Sequence, residues 1–262
     1  MIVKMAEIES ESHFVWRQIF FLLKLPILLV QIIFGSRTWS ELGRPFREIF
    51  VFLFEPKLTI MLILANVAVF LYEVFYLTEK QIAALAFQPS DILKLNYVPI
   101  VSSWFLHASV AHLVGNMIFL YIFGRIVEKD FGWKMLLIYF GSAIVSTLVA
   151  GFFGQGGIGA SGAIAGLISV SILMHPFYST YLIAGLPVPI LVVGWLAIIA
   201  DVTGILVPTN DNIGHFAHLG GYIAVSLLVF LFNREEKHKL KIGLIINALF
   251  VAALAVYWFY LR

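Results

Sequence analysis

The residues able to do bond chemistry in this 262-residue chain gather in three short runs. His112 and Asn116 stand four apart in His112-Leu113-Val114-Gly115-Asn116, so they share one helical face. Ser161 lies in Gly159-Ala160-Ser161-Gly162, after a glycine-rich stretch. His215 and His218 stand three apart in His215-Phe216-Ala217-His218-Leu219-Gly220-Gly221. Each run has a plainer reading: small residues let helices pack closely, a histidine near a helix end caps it or reaches for water, and an asparagine bonds a neighbouring helix. Together they suit acyl transfer by an activated serine. A serine hydroxyl is a poor nucleophile at neutral pH and needs an adjacent base, and histidine serves because its proton affinity lies near the working pH. Attack on an amide carbonyl makes an oxyanion, whose preorganised donors are each worth roughly a hundred- to a thousand-fold in rate. A His–Asn pair on one face and the Ser161 backbone N–H would supply them. With no cysteine in the chain, a thiol nucleophile, a thiolate metal site and disulfides are excluded.

The elements that must position these residues are membrane helices. Apolar residues make up 61% of the chain and charged ones 12%, against about 45–50% and about 25% in soluble domains. A soluble globular domain and a disordered chain are thereby excluded. The apolar stretches are continuous rather than alternating, which argues against a membrane β-barrel. A net charge of +2 without a basic block gives no case for nucleic acid. The segment MIVKMAEIESESH is mixed in charge with no apolar core, so it reads as neither a cleaved signal peptide nor a mitochondrial transit sequence.

On the length scale of a bilayer, spans are expected at 59–77, 112–127, 132–153, 161–174, 188–207, 215–232 and 243–261. The fourth has only 14 residues if it starts at Ser161. Its start must then lie below the membrane surface, with the glycine-rich run from Gly154 to Ala160 dipping into the protein. Irregular backbone at that depth is tolerated only inside protein or along a water-filled cavity. With the N-terminus inside, segments 1–57, 124–134 and 233–242 hold 7, 3 and 4 Lys or Arg, leaving only Lys80, Lys94 and Arg262 elsewhere. That bias sets the topology and turns the starts of spans two, four and six outward. Residues 14–34 are apolar but carry Arg17, Lys24 and Gln31 on one face, and are read as an interfacial amphipathic helix in preference to an extra span. Residues 78–110 read as a long outer loop in the interface. No internal repeat supports a transporter.

Phe105-Leu106-His107, the His112–Asn116 pair, Gly159-Ala160-Ser161-Gly162 and Ala217-His218-Leu219-Gly220-Gly221 together resemble the rhomboid family of intramembrane serine proteases. The resemblance covers about residues 59–232. It implies an all-α polytopic membrane protein with a six-helix core at 58–232. Residues 1–57 would precede the core as a cytoplasmic or interfacial region, and 233–262 would follow as a basic loop and a seventh helix. It further implies Ser161 as nucleophile, His218 as general base in a dyad, and His112, Asn116 and Ser161 as the oxyanion donors. Transmembrane protein substrates would enter from the lipid and be cut near the outer side of the membrane, with no cofactor, no metal and no nucleic acid involved. The default location is the plasma membrane. Glu128 resembles a structural acidic position on the inside.

Departures from the family pattern carry their own expectations. Val98 to Trp104 contains no arginine. Four residues after Ser161, where an aromatic ring often packs on the catalytic imidazole, stands Ala165, so something else must orient His218. The small-residue spacing after the base reads Gly221 to Val225, with Ala224 beside it, which predicts looser helix packing. Asp201, the only carboxylate well inside the later spans, faces the cavity or pairs with His215, with a direct catalytic part the less economical reading. His215 is read as a water-facing helix-end residue, Asp211 or Asn212 as a helix cap, His107 as structural, and His175 and His238 as bland. Pro208, Thr209 and Asn210 lie in a loop over the site, and this loop with span five is the natural moving part. Two other functions remain open: a catalytically inactive rhomboid-like binding protein, and a channel or carrier. The second is opposed by the absence of ionisable groups continuing inward.

Overall fold

The computed structural model describes residues 11–181, 186–207 and 213–260. Pro208, Thr209, Asn210, Asp211 and Asn212 lie outside the described residues, as does Arg262, and so do the cap and the loop expected there. The chain runs α1 (Glu11–Ile33), α2 (Arg44–Phe54), α3 (Lys57–Tyr76), α4 (Glu79–Leu85), α5 (Pro89–Leu93), α6 (Tyr97–Ser102), α7 (Val110–Phe131), α8 (Lys134–Phe152) and α9 (Ser161–Met174). A two-residue strand pair, β1 (Ser179–Thr180) and β2 (Val188–Pro189), then leads to α10 (Ile190–Leu206), α11 (His215–Leu228) and α12 (Arg234–Tyr260). Among the described residues, five helices hold stretches long and apolar enough to cross a membrane: Phe14–Ile33, Lys57–Tyr76, Val110–Phe131, Lys134–Phe152 and Arg234–Val256. α9, α10 and α11 are shorter apolar helices.

α9 stands at the centre, touching α7, α8, α10, α11 and α12. All but two of its 14 residues are buried, as expected of a helix that is apolar all round. Its length is about 21 Å at 1.5 Å per residue, well short of a hydrocarbon core of about 30 Å. Ser161 therefore opens the helix inside the protein. The run before it is not a loose loop. Gly157 exchanges backbone hydrogen bonds with Phe87, and the Gly159 N–H donates to Ser103 O at 2.7 Å. These partners come from the segment expected as a long outer loop, which is in fact three short helices. Trp104 fastens that segment to α8, donating to Thr147 Oγ1 at 2.9 Å. Buried backbone groups away from water need such partners.

Elsewhere polar side chains satisfy helix ends. Glu128 of α7 accepts from the Leu58 and Thr59 N–H groups and from the Thr59 hydroxyl, at 2.8, 2.8 and 2.7 Å. It thus caps α3, the hydrogen-bonding role expected of it. α1 lies along α2, with Phe14 stacked on Phe52 and Gln18 donating to Glu48. His175 is not bland: its Nε2 pairs with Asp130. α12 begins at Arg234, so the stretch 233–242 expected as a basic loop is helical. Asn233 and Glu236 cap it reciprocally, each accepting the other's backbone N–H. Asn247 ties this helix to the core, accepting from Trp195 Nε1 and donating to Ile172 O, at 2.7 and 2.9 Å.

Candidate active site

Ser161 is the first residue of α9, and His218 lies in the first turn of α11. They meet because the two backbones nearly touch. A Cβ on Gly221 would lie 2.1 Å from the Gly162 carbonyl oxygen and 2.7 Å from Ala165 Cβ. On the other side, a Cβ on Gly162 would fall 1.9 Å from Ser146 Oγ of α8. Ala224 is wholly buried in the same seam. The looser packing expected from the altered glycine spacing is therefore corrected, because Gly221 and Ala224 together still permit close approach. In this seam His218 Nε2 lies 2.8 Å from Ser161 Oγ, both side chains half-buried.

The other imidazole nitrogen is also engaged. His218 Nδ1 lies 2.7 Å from Asp201 Oδ1 on α10. His215 Nδ1 lies 2.8 Å from the same oxygen, and the Tyr222 hydroxyl donates to Oδ2 at 2.8 Å. A Nδ1–H directed at Asp201 leaves the His218 Nε2 lone pair facing the serine hydroxyl. Asp201 thus pairs with His215 as one expectation had it, and also with His218. His215 is buried and not water-facing, a correction whose cause is Gly204: a Cβ there would stand 2.1 Å from His215 Nε2, so the glycine leaves room for the ring against α10. The link between Asp201 and His218 escaped sequence reasoning because it joins different helices. The signal available was the lone carboxylate in an apolar helix, which is costly unless it has a purpose.

His112 and Asn116 converge on the residue two before the serine. Ser109 caps α7 by accepting the His112 N–H at 3.1 Å. His112 Nδ1 accepts from the Ala108 N–H at 3.4 Å, which leaves Nε2–H as its donor. That nitrogen faces Gly159: a Cβ there would be 2.9 Å from His112 Nε2 and 3.5 Å from Asn116 Nδ2. Gly159 has φ +127°, a conformation L side chains rarely adopt. Asn116 Nδ2 is buried without a hydrogen-bond partner. α9 starts with no side-chain cap, so its first N–H groups keep their donor capacity. A cavity lined in part by Ser103, Ser146, Thr147, Gly159 and Gly162 reaches the backbone on either side of Ser161 and offers polar groups to water.

His107, outside the helices, is buried; its N–H donates to Glu73 and its Nδ1 faces Phe105 O. Burial first, and then neighbouring His112, push its pKa down to about 4, so it stays neutral. This fits the structural reading. Asp201, His215 and His218 offer three ligand atoms within 4.8 Å of one another, a set whose chemistry suits a divalent cation. Here those atoms are joined by direct hydrogen bonds.

Residues 94–235 match the rhomboid domain. RHOMBOID-like protein 12, mitochondrial, of Arabidopsis thaliana is 32% identical over 161 residues, covering 53% of this chain and 47% of that protein. The putative rhomboid protease YdcA of Bacillus subtilis is 31% identical over 138 residues, 51% of this chain and 66% of its own length. The rhomboid protease AarA of Providencia stuartii is 25% identical over 239 residues, 78% and 82% of the two chains. The match spans about half or less of the plant relatives' length. With more than half of its residues inside the domain match, this multi-pass membrane protein of the all-α class belongs to the rhomboid family.

Proposed function

We propose that the chain is an intramembrane serine endopeptidase that cuts transmembrane protein substrates near the outer side of the membrane. The observation that carries this reading is the 2.8 Å contact between Ser161 Oγ and His218 Nε2, beside the unpartnered amide of Asn116. In the reaction Ser161 Oγ attacks the scissile carbonyl carbon as its proton passes to His218 Nε2. The tetrahedral oxyanion is held by Asn116 Nδ2–H, His112 Nε2–H and the Ser161 N–H. Collapse breaks the C–N bond, and His218 returns the proton to the leaving amine. Water from the cavity then attacks the acyl carbon as His218 Nε2 takes its proton; collapse breaks the bond from that carbon to Ser161 Oγ, and His218 returns the proton to the serine as the new carboxyl terminus leaves. Burial strengthens each of these hydrogen bonds relative to water.

The same reading divides the chain into an N-terminal interfacial region at 1–57, a six-helix protease core at 58–232 and a C-terminal helix after it. The N-terminus faces the cytoplasm and the site opens outward at the plasma membrane. Charge bias supports this orientation, and the relatives named as proteases support the reaction class. The test is covalent labelling of the purified full chain by a fluorophosphonate probe. Wild type should label, while Ser161→Ala and His218→Ala should not. A folded wild type that stays unlabelled in lipid as well as in detergent refutes the reading in favour of an inactive binding protein.

A further inference from the structure

We propose that Asp201 is a positioning residue that extends the Ser161–His218 pair into a Ser–His–Asp triad, itself held in place by His215 and Tyr222. The inference rests on the serine protease reading above. A buried carboxylate survives in an apolar helix only if its charge is met by donors. Asp201 is 7% exposed and meets three: His218 Nδ1 at 2.7 Å, His215 Nδ1 at 2.8 Å and the Tyr222 hydroxyl at 2.8 Å. His215 and Tyr222 do not touch Ser161 through any hydrogen bond among the described residues. Their shared target is the carboxylate, and they fix it from two sides, one on each oxygen. Gly204, one turn beyond Asp201, leaves the space that His215 fills. Three helical positions on two elements therefore agree on where the carboxylate points.

That direction bears on the chemistry. An imidazole has two tautomers, and only the one with Nδ1–H presents a basic Nε2 to the serine. A carboxylate on Nδ1 selects this tautomer and fixes the ring plane. When the Ser161 Oγ–C bond forms, the hydroxyl proton moves to Nε2 and His218 becomes an imidazolium. Asp201 keeps accepting from Nδ1–H throughout, pairing its charge with the new cation without taking the proton. The Nε2 proton then leaves with the amine, and the ring returns to its starting tautomer. Asp201 thus supplies what Ala165 cannot, a means of orienting His218.

The test uses fluorophosphonate inactivation of the full chain in lipid bilayers, resolved into the binding constant KI and the rate kinact, with thermal unfolding measured in parallel. Asp201→Asn, which can present an N–H to His218 Nδ1 and favour the wrong tautomer, should lower kinact by about 10³–10⁴-fold with KI unchanged. Asp201→Glu, which keeps a carboxylate, should recover part of that loss. His215→Leu with Tyr222→Phe removes two of the three donors but keeps the bond to His218, so kinact should fall by no more than about tenfold per lost hydrogen bond. This double variant also decides the matter if Asp201→Asn does not fold: a loss as complete as that of Ser161→Ala overturns the proposal. Full kinact in folded Asp201→Asn overturns it too, as does labelling lost to a chelator and regained with zinc, since the three residues would then be metal ligands. An unlabelled wild type is different, because it removes the serine protease reading itself.

Discussion

Asn116 offers a test in which activity and stability should part company. Its Nδ2 is buried and has no partner in the resting protein. An unsatisfied buried donor costs about 1–3 kcal/mol. Replacing Asn116 with Ala removes that penalty, while the lost side-chain contacts cost a similar amount, so the net change in stability should be near zero. In the transition state the same amide has a partner, the oxyanion. Loss of one such donor costs about 10²–10³ in rate, or about 2.7–4 kcal/mol. Asn116→Ala should therefore unfold at nearly the wild-type temperature and react with fluorophosphonate roughly 100- to 1000-fold more slowly. Asn116→Asp preserves the shape but replaces donors with an acceptor, and should be at least as slow. The two readouts are the inactivation rate in lipid and the unfolding midpoint of the same preparation. The reasoning is refuted if Asn116→Ala labels at the wild-type rate but unfolds several degrees earlier. That result would make Asn116 an ordinary packing residue whose amide is satisfied in the membrane.

Three further outcomes follow from particular contacts. Gly159→Ala puts a Cβ 2.9 Å from the His112 ring at φ +127°, so the folded variant should lose labelling by displacing His112. Glu128→Ala strips the caps from the start of α3 and should cost about 1–3 kcal/mol in stability. Its unfolding midpoint should drop while the labelling rate of the folded fraction stays at the wild-type value, because the hydrogen bonds of the Glu128 carboxylate run to Leu58 and Thr59 and not to the site. His107 has its pKa lowered from an ordinary 6.5 to about 4 in the fold. The unfolded chain thus binds more protons between those values, and stability falls as pH drops through that window. His107→Gln should flatten the fall of the unfolding midpoint from about pH 6.5 to pH 4, and an unchanged slope would assign it to other groups.

The sequence is most informative where chemistry and apolarity leave few choices. The buried start of α9 is legible because an uncharged, mostly apolar run of 14 residues cannot span a bilayer and glycines precede it. His112 and Asn116 are legible as a pair because helical spacing fixes them on one face. The hydrogen bonds that receive the glycine run are not legible, since Phe87 and Ser103 lie in a segment with no strong period. The start of α12 is hidden for a different reason. A hydropathy scan reads Arg234 to Lys241 as a loop, whereas the reciprocal cap of Asn233 and Glu236 is a local signal for a helix start. Asp201 is legible as a costly carboxylate with His215 as one candidate partner, but its bonds to His218 and Tyr222 are not. His215 and His218 are three apart and both reach it, an arrangement set by how α10 leans on α11 rather than by any spacing along the chain.

Ala165 offers no ring to stack on His218, and the group that meets the imidazole from its far side is the Asp201 carboxylate. The Gly221 position leaves only 2.7 Å between a would-be Cβ and Ala165 Cβ, and 2.1 Å to the Gly162 carbonyl. A side chain at position 221 would therefore hold α9 and α11 apart. Their closeness is what brings Ser161 to 2.8 Å from His218, so widening the seam would separate the reacting groups. Interiors packed at this density do not deform continuously. A carboxylate approaching from α10 meets neither constraint, because it reaches the opposite nitrogen of the imidazole from outside the seam. The cost is a buried charge, offset by His215 and Tyr222 through hydrogen bonds to its two oxygens. Small residues between α9 and α11 and a charged residue on α10 are therefore two parts of one solution to holding an imidazole against a serine inside a membrane.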